Sequence, residues 1–235
     1  MAKINTNSNA YTIIYASVMV VIVAFLLAFV ASSLKETQDA NVAIDKKSQI
    51  LSSLNIRGVE TANVETKYSE VVIADPIFAN TIDKQSENGG FEVATKDIKA
   101  DNRPLYICEV DGTTKYVVPV KGAGLWGGIS GYIALDDDCE TVFGTYFTHE
   151  SETAGLGARI TEDWFQTSFN GKRLFAADNA DVVALSVVKK GKEGTLAKKN
   201  FVDGVTGATL TCNGVDAMIK DGLTLYKDIL KSLKK

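Results

Sequence analysis

The stretch DGVTGATLTCNGV, from Asp203 to Val215, gathers three threonines around small residues just before an amphipathic segment. A helix start attracts phosphate groups because its free N–H groups and its dipole point at the ligand. Gly207 and Ala208 leave the hydroxyl of Thr209 accessible, so that it either hydrogen-bonds a phosphate or becomes esterified to one. The alternative is structural, with Thr209 or Thr211 capping the helix.

A second candidate is the glycine-rich run GAGLWG, from Gly122 to Gly127, which has the spacing G-x-G-x-x-G. A dinucleotide-binding fingerprint requires a strand before this run and a helix after it. The continuation GISGYIAL is typical of a strand, so the nucleotide-fold interpretation fails. What remains is a glycine-rich loop that allows close approach of the backbone and whose Leu125 and Trp126 suit contact with a flat ligand.

A third candidate, THESETAGLGARI, contains His149, the only histidine of the chain. Glu150 and Glu152 flank it, but three or four ligands for zinc are not supplied by this stretch. A serine or cysteine nucleophile in a recognisable motif is also missing, so we expect no catalytic residue and no metal site. Gly155 and Gly157 around Leu156 would let this loop press its backbone and one apolar side chain against a ligand.

The elements that must position these loops are mostly short strands. LYICEV and KYVVPV are separated by Asp111-Gly112, which is typical of a hairpin. FEVATKDI, SGYIALDDD, TVFGTYFTHE and DVVALSVV also indicate strands, and Asp163 to Phe169 a short helix. The last segment has apolar residues at helical spacing from Val215 to Leu230. The predicted fold class is therefore α+β, a mostly antiparallel sheet with flanking helices.

The N-terminal region is apolar from Ile13 to Ala31, which is enough for a helix to cross the hydrocarbon layer. We predict a retained transmembrane helix over 13–34, after a short segment 1–12; a cleaved signal peptide is the alternative. A helical or mixed stalk and the start of the soluble domain follow over 35–89, and the main domain over 90–235. Lys3 precedes the span and Lys35, Lys46 and Lys47 follow it, which favours a cytoplasmic C-terminal domain only weakly.

Composition excludes other functions. The formal net charge is -4, and the absence of a basic tract argues against nucleic acid as a partner. Three widely spaced cysteines, Cys108, Cys139 and Cys212, form neither a metal motif nor a disulfide framework, so we expect them to be buried.

At the three candidate stretches the sequence resembles the FMN-binding domain family. DGVTGAT is similar to its flavinylation motif, an aspartate followed by Ser/Thr-Gly-Ala-Thr, and GLWGGISGYIALD and HESETAGLGARI are similar to two further segments. Ala154 stands where a proline is common in the family. The resemblance implies that a flavin transferase links FMN through its phosphate to Thr209, a covalent phosphoester, and leaves Thr211 as the helix cap.

The resemblance also implies roles for the neighbouring residues. Asp203 would serve recognition by the transferase, and Thr206, Gly207 and Ala208 the surroundings of the phosphate. Contacts with the flavin ring or ribityl chain are expected from Leu125, Trp126, Gly155, Leu156 and Gly157, and polar contacts from His149, Glu152 and Thr153.

The function implied is one-electron transfer within a bacterial Na+-translocating NADH:ubiquinone reductase, with electrons relayed towards quinone. The chain would be a single-pass inner-membrane subunit, inactive alone, with its FMN domain on the periplasmic face, and its partners would be other subunits, the transferase and the lipid bilayer. The alternatives are the G subunit of the related Rnf electron-transport complex and a non-catalytic, membrane-anchored binding domain.

Overall fold

The computed structural model describes residue 6 and residues 8–79, 84–177 and 181–234. One compact unit ends at Asp45 and a second begins at Lys46. Lys3, the basic residue before the predicted span, lies outside the described residues.

The first long helix, α1, runs from Asn9 to Ser53 and confirms the helix predicted over the apolar segment. Its apolar part is long enough, and free enough of charge, to cross a membrane, and none of it is buried. The end of α1 belongs to the second unit, where Ile50 and Leu51 are fully buried. The ammonium of Lys46 also donates there to the carbonyls of Phe91 and Val93.

The central sheet of the second unit confirms the predicted antiparallel architecture. Its five strands have the order β1-β5-β6-β7-β8, and each pairs antiparallel with its neighbours. The strands are β1 (Val72–Ala74), β5 (Tyr106–Val110), β6 (Thr113–Ala123), β7 (Gly128–Leu135) and β8 (Val142–His149). The β6–β7 turn carries the glycine-rich run, which therefore lies at the end of a hairpin and not before a helix.

Shorter elements complete the second unit. Three short strands form a side sheet, and two parallel strands form a second one that precedes the final helix. These elements are α2 (Val64–Val71), β2 (Ile77–Phe78), β3 (Lys84–Ser86), β4 (Arg103–Pro104), α3 (Asp163–Thr167), β9 (Ser186–Val188) and β10 (Phe201–Asp203).

The final helix, α4 (Thr209–Leu233), packs along β6 with its predicted apolar face. Val215, Ile219, Leu223 and Tyr226 are fully buried there. Close approach depends on Gly214, where an added Cβ would lie 2.3 Å from the carbonyl oxygen of Ala123. The helix start is thereby held beside the β6–β7 turn.

The predicted strand FEVATKDI is wrong, because Gly90–Glu92 and Thr95–Asp97 are 3-10 turns. The Asp75 carboxylate accepts hydrogen bonds from the backbone amides of Gly89 and Phe91, and Gly89 has a positive φ of 110°. These contacts bend the chain and override the β propensity of the residues that follow. The three cysteines are free and buried, as expected.

Candidate functional site

The three stretches that the sequence singles out meet at the start of α4. Thr209 is the first residue of this helix and is exposed. Gly207, two residues earlier, has φ +83°, a conformation that glycine adopts without strain. This turn carries the chain from β10 into α4 and leaves the Thr209 side chain on the surface.

Two cavities flank Thr209, and both Thr209 and Gly207 line each of them. The first, here the threonine cavity, has a volume of about 280 Å³ and is lined by Val187, Lys189, Lys190, Gly204, Val205, Thr206, Gly207, Thr209, Cys212 and Asn213. The second, here the leucine cavity, has a volume of about 170 Å³ and is lined by Leu125, Glu152, Thr153, Leu156, Gly157, Gly207, Ala208, Thr209, Leu210 and Thr211.

The buried carboxylate of Glu152 connects the three stretches. It accepts a hydrogen bond from the Thr211 hydroxyl at 2.5 Å and another from the backbone amide of Trp126 at 2.8 Å. The contact leaves no room for a side chain at position 157, where a Cβ would lie 2.4 Å from the Thr211 hydroxyl oxygen. The arrangement therefore holds the β6–β7 turn, the loop after β8 and the first turn of α4 together.

The electrostatics of Glu152 follow from these contacts. Burial opposes its ionisation, but hydrogen bonds from Thr211 and from the backbone of the β6–β7 turn favour the charged form. The net result is a pKa below the ordinary value of a glutamate. His149, at the end of β8, accepts a hydrogen bond on Nδ1 from the backbone amide of Glu152 at 3.2 Å and so holds the backbone of the loop at this residue.

Large apolar side chains remain exposed around Thr209. Leu125 is 46% exposed, Trp126 67%, Leu156 44% and Leu210 59%. Such residues at a cavity rim are typical of a surface that binds a flat apolar group.

The predicted ligand residues divide into two groups, and their contacts with a ligand stay predictions. Nine of them line one or both cavities: Leu125, Glu152, Thr153, Leu156, Gly157, Thr206, Gly207, Ala208 and Thr209. Four line neither cavity: Trp126, His149, Gly155 and Asp203.

Sequence reasoning missed the basic side of the site. Lys189 and Lys190, which follow β9, line the threonine cavity together with Asn213 of α4. The only signal in the sequence is the lysine pair itself. Leu210, on the other side of Thr209, was missed as well.

The predicted cap is wrong. The residue that precedes α4 is Ala208, which has no side-chain cap hydrogen bond, and the hydroxyl of Thr211 is directed to Glu152 instead. The backbone N–H groups of the first turn have no partner one turn earlier in the helix, as in every α-helix. This end of α4 therefore keeps the electrostatic character that favours an anion.

Comparison with known proteins identifies the domain. Residues 124–224 match the model of the FMN-binding domain. The C subunit of the Na(+)-translocating NADH-quinone reductase of Haemophilus ducreyi is 33% identical over 94% of this chain and 91% of its own length. The same subunit of the Pseudomonas aeruginosa reductase is 29% identical over 94% of this chain and 96% of its own length.

A solved structure supports the same assignment. The crystal structure of the C subunit of the Na(+)-translocating NADH-quinone reductase from Parabacteroides distasonis superposes with a TM-score of 0.77 and 36% identity, covering 84% of this chain and 96% of that one. The chain therefore belongs to the family formed by the C subunits of Na(+)-translocating NADH-quinone reductases and contains an FMN-binding domain.

Proposed function

We propose that this chain carries FMN esterified through its phosphate to Oγ1 of Thr209. In a Na+-translocating NADH:quinone reductase, it would relay electrons towards quinone as a membrane-anchored subunit. The observation that carries the proposal is the position of Thr209, exposed at the first residue of α4 and shared by two cavities of different character. The other subunits of the complex are the proposed electron-transfer partners.

The two sides of Thr209 fit the two parts of FMN. Lys189, Lys190 and the start of α4 offer positive charge to a phosphate in or beside the threonine cavity. On the other side, Leu125, Leu156 and Leu210 offer an apolar surface to the ring. FMN, when bound, supplies the one-electron redox chemistry, and the protein tunes it by burial and hydrogen bonding.

Attachment requires only a hydroxyl from this chain. The bond between Thr209 Oγ1 and the phosphorus next to the flavin forms while the phosphoanhydride bond of flavin adenine dinucleotide breaks. The hydroxyl proton passes to a base on the flavin transferase, and adenosine monophosphate leaves with the electron pair. We assign this base to the transferase and not to this chain.

We also propose where the chain lies in the cell. The apolar part of α1 would anchor the chain in the bacterial inner membrane as a single span. The FMN domain would lie on the periplasmic face, where the tether prevents loss of the cofactor.

The experiment is co-expression of the full chain with a competent flavin transferase, followed by denaturing gel electrophoresis and intact mass measurement. We expect a fluorescent band and a mass increase of one FMN less one water. Thr209→Ala abolishes both, whereas Thr209→Ser, which keeps a hydroxyl, and Thr224→Ala, at an exposed threonine further along α4 that lines neither cavity, retain them. A wild-type band without flavin, or a fluorescent Thr209→Ala band, overturns the proposal.

A further inference from the structure

The carboxylate of Glu152 is held by neutral groups. Its hydrogen-bond donors are the hydroxyl of Thr211 and backbone amides of the β6–β7 turn, the Trp126 amide among them. Within the described part of the chain, no ammonium or guanidinium group pairs with it. Glu140, by contrast, pairs with an arginine and a lysine. The negative charge of Glu152 is therefore stabilised by hydrogen bonds but not cancelled by a cation.

This carboxylate is ionised at neutral pH although Glu152 is only 6% exposed. Burial raises its pKa, but the Thr211 hydroxyl and the backbone amides of residues 125–127 lower the pKa by more. Gly124 permits the close approach, because an added Cβ there would lie 2.5 Å from Oε1 of Glu152. The charge is thus a permanent feature of this side of the site.

Glu152 lines the leucine cavity, the side of Thr209 that the proposed function gives to the flavin ring. Among the described residues that line this cavity, Glu152 alone is charged. Lys189 and Lys190 line the threonine cavity on the other side. A ring in the leucine cavity would therefore share it with a negative charge, while the positive charges would lie with the phosphate.

A charge in this position changes how readily the ring accepts an electron. Each electron that enters a flavin adds one negative charge unless a proton follows it, and a neighbouring carboxylate opposes that added charge. Salt and water screen a buried charge less than an exposed one. Because the leucine cavity is open to the surface beside half-exposed Leu125 and Leu156, we expect an effect of moderate size.

We propose that the ionised Glu152 carboxylate lowers the reduction potential of the flavin attached at Thr209. The inference rests on the proposed function and deepens it, because it names the residue that sets the driving force of the relay. The flavin gains one electron from a reduced centre of the complex, which loses one. A lower potential then makes the reduced flavin a stronger electron donor towards quinone.

The experiment is a spectroelectrochemical titration of the purified, flavinylated full chain in detergent at neutral pH. Glu152→Gln removes the charge and nearly preserves the shape, and the Thr211 hydroxyl can turn to accept a hydrogen bond from the new amide. The equilibrium for the first electron should shift towards the reduced flavin by about tenfold, which is about 59 mV upwards for a one-electron step. Circular dichroism shows that the variant folds.

Two control variants separate charge from structure. Thr211→Val removes one hydrogen bond of the same carboxylate but keeps its charge, because the backbone amides remain, so no upward shift is expected. Glu150→Gln removes an exposed charge from the same loop, and its shift should stay below about twofold and disappear at high salt.

The role of Glu152 is overturned by an unchanged potential in flavinylated Glu152→Gln. An equal upward shift in Thr211→Val would also overturn it, since the shift would then come from a loosened site, and an equal shift in Glu150→Gln would assign the effect to surface charge in general. A wild-type chain that never becomes flavinylated disproves the attachment itself, whereas a flavinylated wild type with unaffected variants disproves only the role of Glu152.

A measurement on the wild-type chain does not depend on whether Glu152→Gln folds. The chain is prepared with isotope-labelled glutamate, and infrared difference spectra are recorded between the oxidised and the reduced flavin. An ionised carboxylate beside the ring should give a labelled carboxylate band that shifts on reduction, and Glu150→Gln should retain this band. Spectra without a labelled carboxylate band overturn the proposal.

Discussion

The hydroxyl of Thr211 and the carboxylate of Glu152 lie 2.5 Å apart although 59 positions separate them in the sequence. Because Glu152 also accepts from the Trp126 amide, the first turn of α4 is tied to two loops from the other side of the site. Thr211 points inward and Thr209, two residues earlier, is exposed. The contact thus explains why only one of these two threonine side chains is exposed.

Replacing Glu152 by glutamine should destabilise the protein and loosen the site. A neutral side chain weakens both hydrogen bonds, and an incompletely paired buried polar group costs about 1–3 kcal/mol. Thermal unfolding of the detergent-solubilised chain should show a melting temperature lower by about 5 °C, since 1 kcal/mol corresponds to about 2–4 °C in a domain of this size. Glu150→Gln is the control: Glu150 is exposed, and within the described part of the chain its carboxylate accepts from the Gly128 amide alone. Equal losses in both variants would contradict the assigned role.

The contribution of Glu152 should also depend on pH. Its pKa is lower in the folded state than the ordinary value of 4.5, so ionisation favours folding. The stabilisation is complete above the unfolded pKa and is lost as the pH falls through the folded pKa. The difference in unfolding free energy between wild type and Glu152→Gln should be constant between about pH 7 and 5 and then shrink towards pH 3. A difference that grows on acidification would be inconsistent with a depressed pKa.

The sequence pattern predicted the parts of the fold that depend on local signals. The β6–β7–β8 strands and the final helix follow from alternating or helical hydrophobicity, and the left-handed Asp111-Gly112 pair makes the β5–β6 turn. The strand predicted after Gly90 failed because its geometry is set by Asp75, a side chain from another element.

For the site, too, the sequence predicted local features and missed contacts between distant residues. The presence of Thr209 at a helix start was predictable, since it depends on the residues beside it. The partner of Thr211 was not, because Glu152 belongs to a loop 59 positions away. Lys189 and Lys190 were missed because a lysine pair by itself does not indicate a ligand, and the parallel pairing of β9 with β10 brings them to Thr209.

We predict that the FMN-binding domain lies on the periplasmic face of the membrane. The lysine count around the apolar segment favours the cytoplasm, whereas the family resemblance implies the periplasm. The lysines after the apolar segment favoured a cytoplasmic domain, but Lys46 is bonded to Phe91 and Val93, and Lys47 pairs with Glu65. These two lysines therefore serve the folded domain, and Lys35 alone remains beside the span. A C-terminal alkaline phosphatase fusion should be active, and a C-terminal green fluorescent protein fusion dark. The opposite pair of results would place the domain in the cytoplasm.

Replacing Gly157 by alanine should break the link between Glu152 and Thr211 by steric means alone. The added Cβ would lie 2.4 Å from the Thr211 hydroxyl oxygen and 2.5 Å from a Glu152 carboxylate oxygen, so one of them must move. Overpacking of this kind costs about 1–3 kcal/mol, and the displaced helix start should also slow covalent flavin incorporation at Thr209. Gly155→Ala is the matched comparison, because nothing lies within 4 Å of its added Cβ and its cost comes only from a φ of +75°. Unfolding free energy and flavin incorporation are measured on both variants. If Gly157→Ala keeps normal incorporation despite its lower stability, the position of Thr209 does not depend on the Glu152–Thr211 contact.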